Sequence, residues 1–214
     1  VYCNNRKKAP VIECKNETLY ISSKVNFTVF GFICKVKVYL PANQKFSNVK
    51  IEGTSSDISI DSLYSEDLYL DTTSGEIECT NLSIENNSII TSTSGEIDIE
   101  EISTKELTSK TTSGEISFGK ISCDTATITS NSGEINIDDF YGEYFKVNTT
   151  SGEIDIYNID TEYFAAGSTS GEISLDFKNI ISAKSQIKTT SGEINIFVPK
   201  NSSFNVAVSS SSGT

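Results

Sequence analysis

Ser132-Gly133-Glu134-Ile135-Asn136-Ile137 returns nineteen residues later as Ser151-Gly152-Glu153-Ile154-Asp155-Ile156. Working outward from this pair, Ser-Gly-Glu-Ile begins at Ser74, Ser94, Ser113, Ser132, Ser151, Ser170 and Ser191, at steps of 20, 19, 19, 19, 19 and 21 residues. So regular a period marks one supersecondary unit stacked on copies of itself. A degenerate copy, Ser55-Ser56-Asp57-Ile58, precedes Ser74 by 19 residues, and Ser212-Gly213-Thr214 starts another 21 residues after Ser191. Residues 41–214 therefore read as one repeat array, and residues 1–40 as a non-repeating segment of N-terminal cap strands, the whole forming a single domain.

Each copy can be numbered from its Ser as zero. Position +3 is Ile in all seven copies, and +5 is Cys79, Ile99, Phe118, Ile137, Ile156, Leu175 and Ile196. Two apolar residues flanking a polar one have the period of a half-buried strand. Position −4 is again mostly apolar (Leu70, Ile90, Ile128, Val147, Ile187), and a further apolar site falls near +8 (Leu82, Ile102, Ile121, Phe140, Ile159). At about 3.3 Å per extended residue, one copy makes a perimeter of roughly 60 Å, enough for a closed coil of two or three sides. The expected fold is all-β: a right-handed parallel β-helix of about eight to nine turns, right-handed because parallel crossovers almost always are. The Gly of each phrase marks a corner needing either positive φ or close approach to the next turn. The Thr/Ser column at −2 and the Ser column at zero are expected to point inward, each hydroxyl donating to the one below.

The net charge of −12 is uneven: residues 1–40 hold seven Lys/Arg and two Glu, and residues 41–214 hold ten Lys and 27 Asp/Glu. The resulting +5 and −17 set a basic leading segment against an acidic array. Nucleic-acid binding rests on Lys/Arg neutralising phosphates, so no nucleic-acid partner is expected. The basic segment suits an anionic membrane surface, or is simply solvated. No run of 18 apolar residues exists, so no membrane span is expected within these residues, and because the chain begins at Val1 rather than Met a removed leader or anchor is expected. Tyr2 is too large to precede a lipidated Cys3. The five cysteines, Cys3, Cys14, Cys34, Cys79 and Cys123, form no C-x-x-C pair and there is no His, which argues against zinc. Three of them crowd the leading segment, leaving room for one disulfide, and the odd count leaves at least one free thiol.

Among outward positions the most suggestive is the +2 column of Glu76, Glu96, Glu115, Glu134, Glu153, Glu172 and Glu193. Carboxylates stacked 4.8 Å apart repel by about 0.9 kcal/mol per pair in water. One answer is Ca²⁺, a hard cation that takes carboxylate and amide oxygens; the plainer alternative is that the side chains splay or accept hydrogen bonds. No cofactor is otherwise expected. Enzymatic chemistry is not expected either: a serine nucleophile needs a base and there is no His. The only Arg, Arg6, lies outside the array, so the base of a polysaccharide lyase is missing. The carboxylates are the repeat itself rather than a distinct hydrolase pair. A flat ice-binding face fails because the −3 column is irregular.

These features together resemble an adhesin-labelled family of uncharacterised bacterial β-solenoids with Ser-Gly-Asp/Glu repeats. The resemblance covers roughly residues 10–214. It rests on Leu19-Tyr20-Ile21, on Lys35-Val36-Lys37-Val38-Tyr39-Leu40-Pro41, on the seven Ser-Gly-Glu-Ile copies, and on the paired Pro41-x-Asn43-x-x-Phe46 and Pro199-x-Asn201-x-x-Phe204. It implies a non-enzymatic envelope or cell-surface protein of a bacterium, an adhesin or structural display module with a protein or glycan partner. The family supplies no catalytic residues. The alternative reading is a scaffold assembled by end-to-end stacking of solenoid edges. A carbohydrate-active enzyme stands third.

Overall fold

A strand buries one face only if its apolar residues alternate, and residues 58–177 carry such alternation turn after turn. The computed structural model describes residues 2–3, 11–15, 18–22, 34–39, 44–179 and 185–200. The chain divides into two compact units, Val1–Gln44 and Lys45–Thr214. In the first, β1 (Tyr2–Cys3) pairs antiparallel with β4 (Cys34–Lys35), and β2 (Val11–Lys15) pairs antiparallel with β3 (Thr18–Ser22). Val25, Phe27, Val29 and Phe30, part of the expected cap strands, lie outside the described residues, as do Arg6, Pro41, Asn43, Asn201, Phe204 and the copy starting at Ser212.

The second unit contains β5 (Lys45–Gly53), β6 (Ile58–Thr72), β7 (Ile77–Ser92), β8 (Ile97–Lys110), β9 (Ile116–Thr129), β10 (Ile135–Asn148) and β11 (Ile154–Ser168). The shorter β12 (Ile173–Phe177), β13 (Gln186–Thr189) and β14 (Ile194–Phe197) follow. All ten form one parallel sheet in which each strand lies on its predecessor; β12 and β13 both rest on β11, and β14 rests on β12. The fold is a β-solenoid of about eight turns of about 19 residues. The repeat is in register: Ile97 sits between Ile77 and Ile116, and Ile135 between Ile116 and Ile154.

The path of one turn is written in its burial. Along β8 the side chains of Ile97, Ile99, Ile102, Thr104, Leu107 and Ser109 are buried, while Glu100–Glu101 and Lys105–Glu106 break the alternation with two outward residues in a row. Each outward doublet bends the strand, because a pleat that skips one residue must change direction to keep its apolar face inward. With the corner at Thr111–Gly114, the coil has three sides. In the 20-residue copy the extra residue is absorbed as a longer outward run, Glu85–Asn87, where the pairing of β7 with β8 shifts.

The interior is a continuous column of Ile and Leu, thickened late in the array by Phe140, Phe145, Phe164 and Phe177. Phe140 and Phe145 stack at 3.9 Å between ring centroids, and Phe164 meets Phe145 and Phe177 edge-on at 5.4 and 5.3 Å. Cys79 and Cys123 sit in this core as free thiols, and burial is the main cause pushing both up to about 12. Among the described residues no helix is long and apolar enough to cross a membrane.

Candidate functional site

The corner that bears the repeated phrase is built by its backbone. From Ile58 of the degenerate copy to Ile173 of the sixth full copy, the Ile amide at +3 donates to the Glu carbonyl at +2 of the following turn, at 2.8 to 3.0 Å, from Ile58 to Glu76 up to Ile173 to Glu193. The buried hydroxyl at −2 turns back on its own corner. Thr72, Ser92, Thr111, Ser130, Thr149 and Ser168 each accept from the Gly amide three residues on, at 2.7 to 3.1 Å. The expected hydroxyl-to-hydroxyl ladder is replaced by bonds to backbone: each −2 oxygen accepts from an amide of its own corner that would otherwise be buried unpaired, and Thr72 Oγ1 also donates to the Ser56 carbonyl of the turn below at 3.3 Å. The Ser column at zero is also corrected. Ser74, Ser94, Ser113, Ser132, Ser151, Ser170 and Ser191 are exposed, because +1 is the inward position at this corner.

With +1, +3 and +5 inward, the Glu column at +2 points out, and all seven carboxylates are exposed. They do not merely splay. Glu115 Oε1 accepts from Asn136 Nδ2, and Glu172 Oε1 from Asn195 Nδ2, each at 2.9 Å, so the +4 amide of the next turn satisfies the carboxylate beneath it. Where +4 is acidic instead, charge accumulates. The Glu96 carboxyl is raised above its ordinary range, first by desolvation and then by Glu115, Glu76 and Asp98. Asp155 is raised in the same way, by desolvation first and then by Glu134 and Glu172. Among the described residues, the one group of three or more acidic ligands brought within 4.8 Å of one another is Glu134, Glu153 and Asp155. The structure thus gathers two of the seven named glutamates with one +4 aspartate, and leaves Glu76, Glu96, Glu115, Glu172 and Glu193 outside that group.

Two outer features escaped the reading of the sequence. The first is a set of tyrosines. Tyr144 and Tyr163, both at +12 and 19 residues apart, stack with centroids 4.5 Å apart and planes within 5°. Tyr141 accepts a hydrogen bond from Lys178 Nζ at 3.2 Å, with the ammonium 5.1 Å from its ring centre. The spacing of Tyr144 and Tyr163 is the signal that would have found the pair, but +12 carries no other aromatic. The second is a polar clasp at the other end of the array. Lys45 pairs with Glu66 at 2.9 Å and with Glu85 at 2.7 Å, and Tyr64 Oη donates to Glu85 Oε1 at 2.6 Å. These bonds, from Lys45 first and then Tyr64, hold the Glu85 carboxyl below its ordinary range. Glu85 belongs to the extra-residue bulge, so the irregular copy supplies the side chain that ties three turns together. Beside the clasp lies a shallow open depression lined by Lys50, Asp67, Tyr69 and Asn87.

The family model described as Toastrack DUF4097 matches residues 4–108 and again residues 88–214. The overlap is natural for stacked copies, since a repeat array can be aligned in more than one register. No curated protein matches the chain. No solved structure matches it either.

Proposed function

The chain belongs to the Toastrack DUF4097 family, and from that premise we propose that it is a non-enzymatic display module of a bacterial envelope, an adhesive rod that engages a surface glycan or protein. The observation that carries this reading is the outer corner itself: one carboxylate per turn, exposed, seven times in register along a rigid core. A catalytic site needs unlike groups converging on one point. This surface offers like groups at a fixed interval of about 4.8 Å, which suits weak contacts summed by multivalency. The rod positions its groups through backbone ladders.

The test is sedimentation of the labelled protein with bacterial envelope fragments, beside a variant carrying Glu→Gln at Glu96, Glu115, Glu134 and Glu153. The wild-type chain is expected to pellet with the fragments and the variant to lose at least several-fold of that binding. Recovery of the wild-type chain wholly in the supernatant, with every envelope fraction tried, would end the adhesive reading.

A second reading is favoured by a specific observation at the far end of the array. β14 pairs with β12 on one side, and among the described residues no strand covers its other edge, while Ile194, Ile196 and Phe197 are exposed. An unpaired edge with apolar side chains is a template for another chain. End-to-end stacking of copies into a filament is the scaffold this edge would build.

A further inference from the structure

The first unit is short and carries three of the five cysteines. It spans Val1–Gln44, a size at which a hydrophobic core alone seldom suffices and covalent staples are usual. Among the described residues of this unit, Val11, Ile12, Tyr20, Val38 and Tyr39 are exposed, Tyr39 by 87 %. Three of the five cysteines fall in this unit, and the register of its strands separates them. β1 and β4 run antiparallel with Cys3 directly opposite Cys34, whereas Cys14 on β2 is opposite Leu19 on β3. Directly opposed residues of an antiparallel pair have Cα atoms about 4.5–5.5 Å apart. That range falls inside the roughly 4.4–6.8 Å window of disulfides.

We propose that Cys3 and Cys34 are the sites of a disulfide that staples the N-terminal unit, leaving Cys14, Cys79 and Cys123 as thiols. The solenoid cysteines are excluded as a pair by topology. Cys79 on β7 and Cys123 on β9 are separated by the whole of β8, hence by about 9–10 Å of stacking alone. Bridging at that distance would require backbone movement. The oxidant is a low-molecular-weight disulfide such as oxidised glutathione. One cysteine thiolate attacks it, forming a mixed disulfide and releasing one glutathione thiolate. The second cysteine thiolate then attacks the protein-side sulfur and releases the other, so two thiols are oxidised and one disulfide is reduced to two thiols. Such a bond persists in the oxidising exterior of a cell and would be reduced in cytosol.

Trypsin separates the three candidates cleanly, because Cys3 lies in the peptide 1–6, Cys14 in 9–15 and Cys34 in 25–35. The folded chain, equilibrated with oxidised glutathione at low protein concentration, is unfolded under alkylation without reductant and digested. The expected result is peptide 1–6 joined to peptide 25–35, and three alkylatable thiols per chain rising to five after reduction. Cys14→Ser should keep the bridge and drop the unreduced count to two, while Cys34→Ser should lose the bridge and show four. The same oxidation in guanidinium should scramble the pairings, which separates a native preference from chance. Five thiols in the oxidised folded chain, a bridge to peptide 9–15, or a bridge between two chains would each overturn the proposal.

Discussion

At the scale of single residues, the glycines of the repeated phrase decide how close two turns can come. A Cβ built on Gly75, Gly95, Gly114, Gly133, Gly152, Gly171 or Gly192 would fall between 1.7 and 2.1 Å from the carbonyl oxygen of the residue one turn below. None of these glycines takes a left-handed φ, so close approach and not turn conformation is what demands glycine. Ser56 occupies the same position in the degenerate copy, where it forms the floor beneath Gly75 and carries a side chain itself. Gly133→Ala is therefore expected to cost about 3 kcal/mol, because the obstructing atom is backbone and cannot rotate away. Gly167 is the control: its added Cβ meets the end of the Asn148 side chain at 2.7 Å, which can turn aside. Gly167→Ala should stay within about 1 kcal/mol of wild type in the same denaturant titration. Equal losses for the two would refute the account of the corner.

At the scale of the element, a column is more than its members. The +2 glutamates repel along the rod; Asn136 and Asn195 at +4 relieve this for Glu115 and Glu172, while the Glu96 and Asp155 carboxyls are raised, first by desolvation and then by their acidic neighbours. A carboxyl whose folded value is raised contributes its stability fully below the unfolded value, and that contribution is lost as pH climbs through the folded value. Around Glu96 the array should thus be tighter in mild acid, near and below the ordinary value of 4.5, than at neutrality. Glu96→Gln is expected to raise the melting temperature by roughly 1–3 °C at pH 7 and to have little effect at pH 4. The gain at pH 7 should shrink in high salt, since exposed charges are screened. An unchanged or lower melting temperature at pH 7 and low salt would show that the column does not repel.

At the scale of the whole molecule, each described inner turn of the solenoid is both floor and roof to its neighbours, which leaves the unpaired strand edges at the ends of the described array. The described far end exposes Phe197 by 60 % beside Ile194 and Ile196. If copies stack there, light scattering on the eluting protein should give 23.3 kDa at low concentration and rising multiples as concentration increases. Phe197→Lys with Ile196→Lys should hold the mass at one chain, because charge on an edge blocks pairing. A mass independent of concentration would rule out the scaffold reading and leave the display reading untouched.

The recurrence of Ser-Gly-Glu-Ile and the isoleucines at +3 and +5 were enough to determine the parallel stacking, the register and the outward direction of the glutamates. Each of these follows from local periodicity, and a period repeated in register leaves few ways to bury the same face. The inner columns at +10 and +13 were less legible, since Thr104, Cys123 and Ser65 share one, and Ala126, Leu107 and Phe145 the other. Such mixed columns lack a common residue type, and the outward doublets that shift their phase hide them from a strict alternation. Three matters belonged to the tertiary structure alone: which hydroxyls the corner amides consume, which three carboxylates meet, and that Cys3 and Cys34 share one register position. All depend on where residues far apart in the chain are placed across strands, and no periodicity along the chain encodes a distance between turns.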